Sequence, residues 1–183
     1  MKSYCEHGQP EKAEELFRDI EKYEQEPDQL LYGILIDGYS KAKNLERAFQ
    51  LLYEMKEVGL ETNPEVYTPI ITIYAQHNEM DNVMKVFDIM KYDGVEPNAV
   101  TYNTIINSFL KRKEFNEAIK WLQKMKEEGI TPTSITYSSF IDAYCKNDMI
   151  EEAQNFLLQL KVYDEVAVIL FNHIIAYHCK HEN

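Results

Sequence analysis

The chain has 183 residues, 45% of them hydrophobic and 27% charged, and its 31 Asp and Glu against 19 Lys and Arg give a formal net charge of −12. Such a composition can bury a sizeable core and excludes a disordered tail, while the acidity excludes a generally basic nucleic-acid coat without excluding a local basic stripe. Gly and Pro number 6 each, too few for a loop-rich sandwich, and no apolar run approaches the roughly 18 residues of a membrane span, so a soluble, helical protein is expected.

An internal repeat orders the elements. Tyr32, Tyr67, Tyr102 and Tyr137 stand 35 residues apart, and Phe171 follows one residue early. Met55, Met90, Met125 and Leu160 keep the same period. From the start of the chain, residues 1–28 form a partial repeat in which Ala13, Leu16, Phe17 and Ile20 carry a helical stripe and only a remnant of a helix precedes them. Residues 29–63 form a full repeat. In 64–98, Tyr67, Ile70, Ile71 and Tyr74 fall at i, i+3, i+4 and i+7, and so do Val83, Val86, Phe87 and Met90. In 99–133 the same two stripes are Tyr102, Ile105, Ile106, Phe109 and Ala118, Trp121, Leu122, Met125. In the shorter 134–167 they are Tyr137, Phe140, Ile141, Tyr144 and Ala153, Phe156, Leu157, Leu160. Residues 168–183 hold a first helix without its second. Gly59, Gly94 and Gly129 stop each second helix, and Pro97 and Pro132 resist its continuation.

A single helix pair cannot bury both stripes, so the expected fold class is all-α, an α-solenoid of stacked helix-turn-helix repeats. The partial repeats at both ends suggest a piece of a longer array, or atypical caps. The opening residues Met1–Gly8 lack the apolar core of a signal peptide, and no organelle transit peptide is expected in this chain.

The stretch Val100-Thr101-Tyr102-Asn103-Thr104-Ile105-Ile106, followed by Glu117-Ala118 and by Met125-Lys126-Glu127-Glu128-Gly129-Ile130-Thr131-Pro132, closely resembles the pentatricopeptide repeat. The 35-residue period and the lack of a Trp-Leu-Gly signature separate it from the tetratricopeptide repeat. The resemblance implies a right-handed superhelix whose first helices line a groove for single-stranded RNA, mostly in mitochondria or chloroplasts, at about one base per repeat. It implies a base-reading pair in each repeat, the polar residue after the Tyr and the last residue of the repeat. Carried over, these are Thr68 with Asn98, implying adenine, and Asn103 with Thr133, implying a pyrimidine. Ser138 stands opposite Ala167 and Asn63 opposite Gly33, so each of those repeats has one reader, while Asp28 and Asn172 belong to the partial repeats. The resemblance also implies base packing by the aliphatic residue two before the Tyr, here Leu30, Val100, Ile135 and Ile169. Glu65 takes that place in the second full repeat, where a carboxylate weakens base packing and repels phosphate.

Charge placement is an independent indicator. Lys41, Lys111, Lys146 and Lys180 stand nine residues after the Tyr or its equivalent, with Gln76 the exception, and stacking would align them as phosphate contacts. The first-helix segments together carry about +2, leaving about −14 for second helices and turns. A Lys near a helix C-terminus also offsets the helix dipole, and Thr68, Asn103 and Ser138 could be ordinary helix-start residues, so these readings stay side by side. Cys5, Cys145 and Cys179 recur at one repeat position, and His173, His178, Cys179 and His181 match no zinc spacing, so no metal or cofactor is expected. No catalytic motif appears, and neither a membrane nor a small-molecule substrate is implied. Two functions follow: sequence-selective binding of single-stranded RNA in organellar RNA metabolism, or a protein-interaction scaffold, such as a structural subunit of a mitochondrial ribosome, using the acidic convex surface.

Overall fold

The computed structural model describes residues 1–23 and 26–160. Among them the elements are helices only: α1 (Lys2–Glu6), α2 (Pro10–Lys22), α3 (Gln29–Lys41), α4 (Leu45–Glu57), α5 (Pro64–Gln76), α6 (Met80–Tyr92), α7 (Ala99–Lys111), α8 (Phe115–Glu127), α9 (Ser134–Lys146) and α10 (Ile150–Leu160). The chain divides within α7 into two compact units, Met1–Ile105 and a second beginning at Ile106.

In the first unit α1 pairs with α2, α3 with α4 and α5 with α6, while the first helices α1, α3 and α5 pack successively against one another. The repeat-marking residues are its core: Tyr32, Tyr67, Tyr102, Met55 and Met90 are all buried. Phe17 of α2 meets Tyr32 of α3 edge-on at 4.9 Å, and Phe87 of α6 meets Tyr102 at 5.7 Å. Tyr32 and Tyr102 thus each pack on the second helix of the repeat before them, with the geometry aromatic quadrupoles prefer. In the second unit Phe156 of α10 stacks on Phe140 of α9 at 4.7 Å, and Phe115 of α8 stacks on Tyr144. Tyr137 there is only half-buried.

Two kinds of helix stop alternate. Gly59, Gly94 and Gly129 have φ of 75° to 78°. The amide of the residue after each Gly donates to the Met carbonyl at 3.0–3.1 Å, and the Gly amide donates to the following Lys carbonyl. This double closure needs a left-handed residue, which Gly supplies without a Cβ clash. The first helices close the same way, but through Lys43, Asn78, Lys113 and Asp148, all at φ of 57° to 63°. Among the described residues, only Gly8, ending α1, fills that place with glycine. The sequence pattern gave no sign of this second left-handed position, because its residues share no side-chain chemistry.

An ion-pair network ties α2 to α4. Glu14 accepts from Arg47 and from Arg18, which also binds Glu54 at 2.8 Å; Arg47 reaches Glu54 at 2.9 Å and the Tyr39 hydroxyl donates to Glu14 at 2.6 Å. Burial raises the Glu14 carboxyl, but the Arg47, Tyr39 and Arg18 hydrogen bonds outweigh it and hold the group down at about 2. Asp93 makes a smaller junction, accepting from Lys56 of α4 and from the Tyr67 hydroxyl of α5. Burial opposes its charge, and those two donors still keep it below its ordinary value.

One glycine is required by close approach. A Cβ on Gly38 would lie 2.5 Å from Cys5 Sγ and 2.8 Å from Cys5 Cβ, so α1 and α3 touch only because that atom is missing. Gly38→Ala is expected to cost about 1–3 kcal/mol through overpacking, read as a lower urea midpoint. The network gives a second expectation. A carboxyl depressed by folding contributes stability above its ordinary pKa, and that stability is lost as the pH falls toward the folded value of about 2. Melting curves between neutral pH and that value should therefore show a steeper acid loss in the parent chain than in Glu14→Gln.

Candidate functional site

Each of the first helices α3, α5, α7 and α9 starts at an N-cap. Asp28 Oδ1 accepts from the Leu31 amide at 2.9 Å, and Asn63 Oδ1 accepts from the Glu65 amide at 3.0 Å. Asn98 Oδ1 accepts from the Val100 and Thr101 amides at 3.0 and 3.1 Å. Thr133 forms a capping box with Thr136. The end-of-repeat residues Asp28, Asn63, Asn98 and Thr133 therefore cap α3, α5, α7 and α9, and Thr68, Asn103 and Ser138 lie inside their helices. The open choice about helix-start residues falls on the other member of each pair. Capping also orients these side chains: an amide oxygen turned to backbone N–H groups leaves the Nδ2 donors of Asn63 and Asn98 facing elsewhere.

The hydroxyls are oriented too. Ser138 Oγ donates to the Ser134 carbonyl at 2.7 Å, leaving its lone pairs as acceptors. Thr68 Oγ1 lies 2.9 Å from Thr101 Oγ1, which in turn donates to Asn98 Oδ1 at 3.3 Å. A cleft of about 500 Å³ gathers Thr68, Asn98, Val100 and Glu65 beside Asp37 and Lys41. Asn103 is half-buried on α7.

Three large aliphatic side chains stand exposed at one repeat position: Leu30 at 68%, Val100 at 60% and Ile135 at 66%. A lone exposed aliphatic residue needs no explanation, but Leu30 and Val100 recur at one repeat position in the first unit and Ile135 holds the same position in the second. Glu65 holds the same place, also exposed. Gly33 borders a second cleft, of about 380 Å³, with Leu30, Asn63 and Glu65, and a Cβ added there would meet only Val66 Cγ1, at 3.8 Å. The missing reader is thus missing in chemistry, not excluded by space.

The lysine row is uneven. Lys41 is paired with Asp37, one turn earlier, at 2.6 Å, so its charge is partly compensated. Lys111 and Lys146 are exposed, have no ion pair among the described residues, and line a cleft with Asn107, Ser139 and Asp142. Asn172, Ile169 and Lys180 lie outside the described residues, as do Ala167 and the 168–183 repeat. Among the described residues no group of three His, Cys, Asp or Glu side chains is placed to hold a metal ion, and no helix is long and apolar enough to cross a membrane.

The PPR repeat family model matches residues 1–41, 63–107 and 97–146, and the PPR repeat model matches 31–60 and 135–164. The chain belongs to the pentatricopeptide repeat (PPR) family. Solved structures of PPR proteins match this PPR chain. The pentatricopeptide repeat protein PPR10 in complex with an 18-nt psaJ RNA element is 29% identical over 90% of this chain, with a TM-score of 0.74. PPR10 from maize is 26% identical over 94%, with a TM-score of 0.70. The PPR domain of Arabidopsis thaliana protein-only RNase P 1 in complex with tRNA, at 13% identity, 95% of this chain, 94% of that chain and a TM-score of 0.62, is alike in fold. The chain spans 24% of the PPR10 chain. No curated protein sequence matches it.

What the repeat pattern did not single out in this PPR chain is Thr101, a buried hydroxyl between two predicted readers, and its equivalent Thr136. The signal was present, a polar residue directly before the core Tyr where the earlier repeats carry Leu31 and Val66, but it is visible only once burial is known. The capping geometry makes Asn98 separable in its two roles. Asn98→Ala should lower stability by about 1 kcal/mol, whereas Asn98→Asp, an equally good cap, should leave it nearly unchanged; thermal denaturation distinguishes them.

Proposed function

We propose that the chain binds single-stranded RNA sequence-selectively, as part of organellar RNA metabolism in a mitochondrion or chloroplast, and acts as a binding module without catalysis of its own. The observation that carries this reading is the coincidence, at one repeat spacing, of exposed aliphatic side chains at Leu30, Val100 and Ile135 with oriented polar groups at Thr68, Asn98, Thr133 and Ser138 and with Asn103 half-buried at the place after its Tyr. Apolar faces suit the flat surfaces of bases, and amides and hydroxyls suit their Watson–Crick edges, which are open only in a single strand. The RNA bound by PPR10, a 29% identical structure, supports the same reading.

Thr68 with Asn98 reads adenine, on a platform that Glu65 weakens, and Asn103 with Thr133 reads a pyrimidine. The repeat with Gly33 contributes Asn63 and Leu30 and reads its base weakly. Lys111 and Lys146 supply phosphate contacts, and Lys41 supplies less because Asp37 already holds it. With stacking worth about 1–3 kcal/mol per base and few modules, the affinity of this chain alone is modest.

A second reading, a protein-interaction scaffold in a large ribonucleoprotein, is favoured by Glu65 of the second full repeat, which leaves the cleft it shares with the Lys41–Asp37 pair of the first with a net negative charge. Selection from randomised single-stranded RNA across a salt series separates the two. RNA recognition should enrich an adenine followed by a pyrimidine, with affinity falling at a log–log slope near −0.7 per phosphate contact. Asn98→Asp, which replaces donors by an acceptor, should move the first position toward guanine, whose adjacent N1–H and N2–H groups need two acceptors. No enrichment and no salt dependence would leave the scaffold.

A further inference from the structure

We infer that Thr101 is a positioning residue for base recognition, one that sets the donor and acceptor polarity of the Thr68 and Asn98 pair from within the core. The inference rests on the RNA-binding reading above and deepens it. Thr101 is 0% exposed, so it can act on a bound base only through its neighbours. Two backbone amides, of Val100 and Thr101, point at one terminal atom of the Asn98 side chain, so that atom is the carbonyl oxygen and accepts only. The Thr101 hydroxyl, 3.3 Å from the same oxygen, must then be the donor in that contact. Having one proton, it must accept from Thr68, whose Oγ1 lies 2.9 Å away. The direction of the whole chain follows: Thr68 donates to Thr101, and Thr101 donates to Asn98.

The consequence appears on the exposed side of the chain. With its proton turned inward, Thr68 offers lone pairs, and with its oxygen turned inward, Asn98 offers N–H groups. An adenine placed with its amino group on Thr68 and N1 on Asn98 satisfies both. Guanine in the same place sets O6 against an acceptor and N1–H against a donor, so both contacts become repulsive. Discrimination between amino and keto bases therefore depends on a proton that Thr101 fixes.

A purely structural role for the hydroxyl is not needed by the fold. The equivalent residue in the preceding repeat is Val66, buried at 1% in the same helical position, and that repeat packs without a hydroxyl there. The distribution along the chain follows the reading pairs. Thr101 comes after the complete pair Thr68 and Asn98, and Thr136, buried at 1%, comes after the complete pair Asn103 and Thr133. Leu31 and Val66, and in sequence Leu170, come after the incomplete ones.

The test compares parent, Thr101→Val and Thr101→Ser for binding of two short single-stranded RNAs that differ only by adenine or guanine opposite Thr68 and Asn98, with thermal melting as control. Thr101→Val removes the hydroxyl at constant volume and should reduce the adenine preference about tenfold, the worth of one or two misdirected hydrogen bonds, at an unchanged salt slope. Thr101→Ser keeps the hydroxyl and should keep the preference. A parent that prefers adenine and a Thr101→Val variant that prefers it equally would overturn the positioning role alone. A loss in Thr101→Val matched by an equal loss in Thr101→Ser would also overturn it. A parent that binds neither RNA, or both alike, would overturn the RNA reading and this inference with it.

Discussion

The edge-on contact between a second-helix aromatic residue and the Tyr of the next repeat, Phe17 on Tyr32 and Phe87 on Tyr102, is the constraint from which the rest is built. Each contact joins the second helix of one repeat to the first helix of the next. Making it requires the following pair to arrive at a fixed distance and rotation, and this is why the spacing of 35 residues is kept so strictly. Once the Tyr residues are fixed in the core, the residues beside them are fixed on the first-helix face. The residue two before each Tyr stands exposed, the residue just after it lies half-buried inside the helix, and the residue four before it becomes the N-cap.

Most of this was legible in the sequence, for a physical reason. Helix pairs that bury the same stripes must repeat the same residues, so Tyr67, Met90 and Gly94 could be read as core and helix stop without coordinates. Leu30, Val100 and Ile135 were legible through resemblance, and their exposure is what distinguishes them from the core aliphatic residues that share their chemistry. Roles that depend on direction rather than residue type were not legible. That Asn63 and Asn98 cap helices while Thr68 and Ser138 do not turns on a register difference of a few residues at the helix start. That Lys41 is compensated and Lys111 is not depends on Asp37 one turn away, although both lysines occupy the same repeat position.

The left-handed residues at the ends of the first helices are a local conflict that the array tolerates. Lys43 and Lys113 adopt a conformation that costs roughly 1–2 kcal/mol for a residue bearing a Cβ, where glycine would fit freely and Asn78 and Asp148 are better tolerated. The turn is imposed by the packing of the two helices on either side of it, and the local preference yields to it. The ion-pair network of Glu14, Arg18, Arg47 and Glu54 works in the opposite sense, adding electrostatic definition between α2 and α4.

The caps have a consequence for how such a surface can change over generations. Ser, Thr, Asn and Asp are the residues that best cap a helix, and they differ in the hydrogen-bonding groups left over once the cap is made. Asp28, Asn63, Asn98 and Thr133 sample three of those four. A substitution among them changes what the outward side presents at almost no cost to folding. Recognition can therefore drift from one target to another through intermediates that all remain folded, with the helix start acting as a neutral alphabet.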